Sequence, residues 1–155
     1  MPWFRQPIQH RIIQPDPGGP LRMRLRAVTP FELERRPGEW VLAPEAILDT
    51  GASLCIFSAA WARAHRFQLP AASAGLPTTT AAGLLRSRAY DLDLNARFSR
   101  MPEHPFSLAV VFSEAHPPTV PPLIGLHNLL NYWRITFNGS DEPGAIMGHM
   151  RFETL

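Results

Sequence analysis

The sequence contains few of the features that mark disulfides, metal sites or nucleic-acid binding. Cys55 is the only cysteine among the 155 residues, so no disulfide can form within the chain, and a reducing compartment is the simpler expectation. All fifteen basic residues are arginines, and no block of like charges runs along the chain. The six histidines show neither H-x-x-x-H nor Cys/His spacing. We therefore expect no metal, no cofactor and no nucleic-acid partner.

Long apolar segments are also absent. The first twenty residues, MPWFRQPIQHRIIQPDPGGP, contain no apolar core long enough for a signal peptide. No run approaches the roughly 18 apolar residues of a membrane helix. The sequon at Asn138 is better interpreted as a turn when no secretory signal precedes it. These absences predict a cytoplasmic protein that does not associate with a membrane.

The composition that is present indicates a globular domain. Hydrophobic residues make up 45% of the chain and charged residues 18%, which is typical of a folded protein. Seventeen prolines and ten glycines divide the chain into short elements and favour strands over long helices. We expect an irregular N-terminal arm over residues 1–20, followed by a single mostly β domain over residues 21–155.

Alternating and apolar runs predict the strands of this domain. They cover residues 21–27, 40–48 (interrupted at Pro44), 54–57, 89–98 and 106–112.

Two short helices and a hairpin complete the predicted elements. Ser58 is a suitable N-cap for a helix in AAWARAHRF. Near the C-terminus, an amphipathic helix is predicted from the i, i+3, i+4 and i+7 spacing of Leu126, Leu129, Leu130 and Trp133. After it, RITF and GAIMGHMRF are predicted to pair across a turn at Asn138-Gly139.

The stretch EAILDTGASLCIFS places a carboxylate, Asp49, at the end of an apolar strand, where an unpaired charge is costly to bury. One interpretation is an Asx-turn, in which Asp49, Thr50 and Gly51 only form the bend. The other is a reactive acid. Cys55 lies nearby, but its apolar neighbours predict a buried, unreactive thiol. A second feature, Leu123-Ile124-Gly125, follows far downstream in the chain.

These two signatures, in this order, resemble the active-site loop and the apolar-apolar-Gly strand end of aspartic proteases. The match is closest to the single-domain, retropepsin-like group, which includes retroviral proteases and bacterial relatives, and this chain resembles a bacterial-type member. The resemblance covers about residue 21 to the C-terminus. It implies a mostly β fold, a closed acid-protease barrel with one or two short helices.

The resemblance also implies a role for each residue of the loop. Asp49 would be catalytic, and Thr50 would hydrogen-bond across the axis of a dimer. Gly51 would allow a tight turn close to the substrate, Ala52 would leave space beside the carboxylate, and Ser53 would continue the loop. Leu123-Ile124-Gly125 would pack beneath the loop. A flap hairpin would be supplied by Thr79, Thr80, Ala81, Ala82 and Gly83.

Peptide hydrolysis by carboxylates needs two such groups, which share one proton and take opposite roles. The chain has only one Asp-Thr-Gly loop. Asp91 and Asp93 are alternative partners, but they alternate on a strand and lack the Thr-Gly context. The partner is then Asp49 of a second copy, because a two-fold axis places each residue opposite itself. We therefore expect a homodimeric aspartic endopeptidase acting on peptide or protein substrates.

The sequence departs from the retroviral pattern at three positions. Ser53 stands where those enzymes usually have Asp, and Leu126 and His127 replace Arg-Asn after the second glycine. The charged pair that braces the retroviral dimer is therefore missing. This departure leaves an alternative open, which is a non-catalytic dimeric module for peptide binding or assembly on the same fold.

Overall fold

The architecture was determined from a computed structural model. It describes residues 1–13, 22–71, 77–80, 83–86, 88–138 and 148–155, and for residues 9–13, 22–26, 77–80 and 83–86 it describes the backbone.

The described residues form thirteen β-strands, one α-helix and one turn of 3-10 helix. The first six strands are β1 (Trp3–Pro7), β2 (Gln9–Ile13), β3 (Arg22–Arg26), β4 (Val28–Arg36), β5 (Glu39–Leu48) and β6 (Cys55–Ser58). Helix α1 (Ala59–Ala64) comes next, before β7 (Pro77–Thr80), β8 (Gly83–Arg86), β9 (Ala89–Phe98) and β10 (Phe106–Ser113). The last elements are β11 (Leu123–Ile124), the 3-10 turn (Leu129–Asn131), β12 (Trp133–Asn138) and β13 (His149–Thr154).

Six of these strands close a barrel in the order β10-β6-β11-β5-β4-β9. Its interior is filled by fully buried side chains such as Phe31, Leu33, Phe98, Leu108 and Phe112. They come from strands in which inward-facing and outward-facing residues alternate, as the pleat of a sheet requires. The predicted mostly β chain with a closed barrel and few short helices is confirmed.

A second sheet, β1-β13-β12, joins the two ends of the chain. Phe4 of β1 pairs with Phe152 of β13, and their rings stack with centroids 4.5 Å apart. Phe152 in turn contacts Phe98 of the barrel at 4.7 Å. The prediction of an irregular arm is therefore wrong for residues 3–7 and 9–13, which are strands. The partner of β1 is β13, at the other end of the chain, so the local pattern of residues 1–13 does not show this pairing.

The predicted interruption at Pro44 is present as an irregularity within β5. Thr29 pairs with Ala46, whereas Phe31 pairs with Ala43, so two residues of β5, Pro44 and Glu45, lie opposite the single residue Pro30 of β4. A proline cannot donate to the ladder, and a bulge is where a sheet tolerates it.

The C-terminal hairpin of β12 and β13 is confirmed, but the predicted turn at Asn138-Gly139 is wrong. Asn138 still pairs with His149, so residues 139–148 connect the two strands, and residues 139–147 lie outside the described part of the chain.

The predicted amphipathic helix from Leu126 to Trp133 is also wrong, because only the single 3-10 turn forms and Trp133 already begins β12. Asn128 has a φ of 63°, in the left-handed region that a right-handed helix cannot contain. The backbone N–H groups of Leu126 and His127 are bound to residues of an earlier loop.

Helix α1 begins as predicted at Ser58, whose Oγ accepts a hydrogen bond from the Trp61 N–H at 3.3 Å. We expect Ser58→Ala to lower the free energy of unfolding by about 1 kcal/mol, because one N–H of the first turn loses its acceptor. Urea denaturation measures the change. Ser107→Ala is the matched control, since it removes an exposed hydroxyl from β10. An equal effect of both substitutions would contradict the capping role.

None of the helices in the described ranges is long and apolar enough to cross a membrane.

Candidate functional site

Asp49 lies directly after β5, where β5 runs parallel to β11. The register pairs Leu48 with Ile124, and the Asp49 N–H continues the pairing by donating to the Ile124 carbonyl at 3.0 Å. The structure thus brings Asp49 beside Leu123-Ile124-Gly125, although more than seventy residues separate them in the chain. β11 also pairs antiparallel with β6, the strand that follows the Asp49 loop.

The carboxylate of Asp49 is held at one oxygen. The Gly51 N–H donates to Asp49 Oδ1 at 2.9 Å, and the Ala52 N–H donates to the Asp49 carbonyl at 3.1 Å. This is the Asx-turn that one interpretation of the sequence predicts. Among the described residues, no second hydrogen bond reaches the Asp49 side chain. The turn and a reactive acid are compatible, because the turn orients one oxygen and leaves the other free to react.

Two further backbone hydrogen bonds join the Asp49 loop to the chain after β11. The Leu126 N–H donates to the Ala52 carbonyl at 3.0 Å, and the His127 N–H donates to the Ser53 carbonyl at 2.8 Å. These bonds fix the loop along its length. No sequence pattern predicts these two bonds, since side-chain patterns do not show which backbone groups meet.

Gly125 lies against the backbone of Leu54. A Cβ added at Gly125 would come within 2.4 Å of the Leu54 carbonyl oxygen and 2.7 Å of its nitrogen. Only glycine allows the two segments to approach this closely. Gly125 therefore packs directly against the Leu54 backbone at the end of the Asp49 loop.

The remaining loop residues lie at the surface of a single copy. Thr50, Gly51 and Ser53 are exposed, and Ala52 is half-buried. The φ of Gly51 is not in the left-handed region, so its backbone conformation alone does not require glycine. A Cβ added there would meet Asp49 Oδ1 at 3.4 Å. The absence of a side chain at Gly51 thus leaves this face of the carboxylate uncovered.

Cys55 is buried, and its thiol donates weakly to the Gly125 carbonyl at 3.8 Å. Burial raises the pKa of the Cys55 thiol to about 12, so it remains protonated at neutral pH. The predicted burial of Cys55 is confirmed, and its side chain packs beside Gly125.

The two acids considered as partners for Asp49 within the same chain lie elsewhere in the barrel. Asp91 and Asp93 are exposed on β9, opposite Val111 and Ala109 of β10. The neighbours of β9 are β4 and β10, whereas the Asp49 loop is bounded by β5, β6 and β11. Asp91 and Asp93 therefore lie on a strand that does not border the Asp49 loop.

The candidate flap is a hairpin in its described part. β7 and β8 pair antiparallel with Thr80 opposite Gly83 and Thr79 opposite Leu84. Ala81 and Ala82, predicted at the tip, lie outside the described residues.

In the described part of the chain, no three His, Cys, Asp or Glu side chains group in a way that could hold a metal ion. A cleft of about 350 Å³ lies between β5, α1 and residues 118–122, but Asp49 does not line it. Asp49 itself is half-buried.

Comparisons with known proteins gave limited similarity. No protein-family model and no curated protein sequence matches the chain. Three solved chains match, and one of them is a retropepsin-like aspartic protease from Rickettsia conorii. This protein shares 15% sequence identity over 97% of the present chain and 96% of its own, with a TM-score of 0.46. A similarity at this level does not define the family.

Proposed function

We propose that the protein is a retropepsin-like aspartic endopeptidase, which hydrolyses peptide bonds in peptide or protein substrates. One observation carries the proposal. The Asp49 carboxylate stands at the end of β5, oriented at one oxygen by Gly51, in a loop that three backbone hydrogen bonds tie to Ile124, Leu126 and His127. A carboxylate that activates water must be held rigidly and remain accessible, and this arrangement meets both requirements.

One copy of the chain supplies one of the two carboxyl groups that the reaction needs. A water molecule attacks the peptide carbonyl only if one carboxylate removes its proton while a second carboxyl polarises the carbonyl oxygen. The Asp49 loop contains a single acid. We infer that the second is Asp49 of another copy, related by a two-fold axis through the exposed face of the loop. The two groups would then share one proton.

The other loop residues would support this dyad. Thr50, exposed beside Asp49, would hydrogen-bond across the axis, and the uncovered faces of Gly51 and Ala52 would admit the substrate backbone. Ser53 would be the last residue of the loop near the substrate. The hairpin containing Thr79, Thr80, Ala81, Ala82 and Gly83 would close over an extended peptide. No cofactor takes part in this mechanism.

The Asp49 loop is supported although the Arg-Asn pair is missing. Leu126 and His127, which replace that pair, hold the Asp49 loop through their backbone N–H groups. This bracing acts within one chain and depends on backbone geometry rather than on side-chain charge, so the loop keeps its shape without that pair.

The test is the dependence of activity on protein concentration. If each site needs two copies, the hydrolysis rate per mole of chain, measured on fluorescently labelled denatured casein, should rise with concentration until the dimer saturates. Sedimentation over the same range should show the monomer–dimer transition at the same midpoint. A tandem chain with two copies joined by a flexible Gly/Ser linker is the control, and its rate per site should not depend on concentration.

A monomer at all concentrations, with no hydrolysis and no binding of a statine-type peptide, would contradict the proposal. If the dimer binds the statine-type peptide but cleaves no substrate, the result would favour the alternative function, a non-catalytic peptide-binding module.

A further inference from the structure

A two-stranded ribbon, β2-β3, interrupts the path of the chain from the β1-β13-β12 sheet to the barrel. The two strands pair antiparallel over all five residues of each. No other described strand pairs with either of them. We refer to residues 9–13 and 22–26 as the ribbon.

The base of the ribbon is anchored beside Asp49. Ala27 directly follows β3, and its carbonyl accepts a hydrogen bond from the Leu48 N–H at 2.7 Å. Ile8 directly precedes β2, and its N–H donates to the Gly148 carbonyl at 3.0 Å. Ile8 and Ala27 also pack against the hydrophobic core. The ribbon is therefore fixed at its base, next to the residue that precedes Asp49.

The course of the chain places the ribbon beyond the end of the barrel at which Asp49 lies. Only Ala27 separates β3 from β4, and β4 runs antiparallel to β5 with Val28 opposite Ile47. The first residue of β4 and Asp49 therefore lie at the same end of the barrel, and β3 enters the barrel from this end. A strand of five residues is about 17 Å long. The proposed function needs the second copy of the chain at this same end.

The two faces of the ribbon differ in composition. Residues directly opposite each other in an antiparallel pair share a face, and so do residues two apart along a strand. The apolar face of the ribbon comprises His10, Ile12, Met23 and Leu25. Its arginine-rich face comprises Gln9, Arg11, Ile13, Arg22, Arg24 and Arg26.

The apolar face needs a cover that the described part of the chain does not provide. β2 and β3 contact each other, and neither makes comparably extensive contact with another described element. A two-stranded ribbon is only marginally stable in water unless its apolar face packs against something else. A peptide substrate binds transiently and would leave this face uncovered between turnovers. A second copy of the chain remains in place, so it suits the face better than a substrate does.

We propose that the apolar face of the ribbon packs against the second copy in the dimer, so that each copy holds the other with its ribbon. The proposal rests on the proposed function, because that function requires the second copy and the Asp49 that it supplies. A two-fold axis forms the contact twice. Since the base of each ribbon is bonded beside an Asp49 loop, the same contact positions the two loops that must bring their carboxyl groups together.

The test measures dimerisation of the full Asp49→Asn chain by sedimentation, so that the result does not depend on catalysis. Ile12→Glu/Met23→Glu should raise the dissociation constant of the dimer by about tenfold or more, because two opposed residues of the apolar face become charged. Gln9→Glu/Ile13→Glu is the matched control, since it introduces two Glu residues on the arginine-rich face. It should change the dissociation constant by less than about threefold.

Hydrogen exchange of the Asp49→Asn chain is a second measurement, and it needs no substitution in the ribbon. The backbone amides of the ribbon should exchange at least about tenfold more slowly above the midpoint of dimerisation than below it, because the second copy stabilises a marginal ribbon. In the Ile12→Glu/Met23→Glu variant these amides should exchange rapidly on both sides of the midpoint.

Three results would overturn the proposal. They are a dissociation constant that Ile12→Glu/Met23→Glu leaves unchanged, an equal effect of the control variant, and ribbon amides that exchange equally fast in monomer and dimer. A dimer that depends on the ribbon but hydrolyses no substrate as the wild-type chain would contradict the protease proposal alone. Hydrolysis by a dimer that does not depend on the ribbon would contradict the ribbon proposal alone.

Discussion

Asp49→Asn is expected to lower the rate of peptide hydrolysis by about 10³-fold or more, because an amide cannot accept the proton of the attacking water. The fold should be preserved. Asparagine Oδ1 can accept the same hydrogen bond from the Gly51 N–H that Asp49 Oδ1 accepts at 2.9 Å. The measurements are the initial rate on a fluorogenic casein substrate and the melting temperature of the same preparation.

The matched controls for this variant are Asp91→Asn and Asp93→Asn, which remove the same charge from exposed positions of β9. Each should leave the rate within about twofold of the wild-type value, as is usual for exposed charges outside a site. Full activity of Asp49→Asn would rule out Asp49 as the catalytic acid, and a large loss in either control would contradict the placement of Asp91 and Asp93 outside the site. Mixing wild-type and Asp49→Asn chains should give inactive mixed dimers, because each site requires both carboxyl groups.

Gly125→Ala is expected to lower the free energy of unfolding by about 3 kcal/mol, at the upper end of what overpacking costs. The new Cβ would lie 2.4 Å from the Leu54 carbonyl oxygen and 2.6 Å from the Leu54 carbonyl carbon. Both are backbone atoms, and the neighbouring Ser53 carbonyl is already bonded to the His127 N–H. The clash therefore cannot be relieved by rotating a side chain. Urea denaturation provides the measurement.

Gly51→Ala and Gly38→Ala separate this clash from other effects of replacing glycine. An added Cβ at Gly51 meets Asp49 Oδ1 at 3.4 Å, and one at Gly38 meets nothing within 4 Å. Gly38 has a φ of 81°, so its replacement adds only backbone strain, about 1 kcal/mol. Gly125→Ala should exceed both in its effect on stability. A Gly125→Ala protein as stable as these controls would show that the Asp49 loop and the chain after β11 do not pack as closely as described.

Much of the barrel follows from local pattern. Alternation in residues 89–98 and the apolar run 106–112 identified β9 and β10, and Ser58 identified the start of α1. These features depend on neighbouring residues, whose side-chain period and capping chemistry can be read directly from the order of amino acids. The failures occurred where distant residues determined the outcome. Phe4 belongs to a strand because Phe152 lies beside it, and the chain after Gly125 does not become a helix because its N–H groups bind Ala52 and Ser53.

The candidate site likewise combines features that the sequence predicts with features that depend on distant residues. The order of amino acids is enough to show that one acid, Asp49, follows an apolar strand and that Leu123-Ile124-Gly125 comes later in the chain. That these segments are neighbours, and that Gly125 meets the Leu54 backbone, became visible only in the folded chain. The physical reason is that local propensity acts over a few residues, whereas strand pairing and close backbone approach depend on how the whole barrel closes.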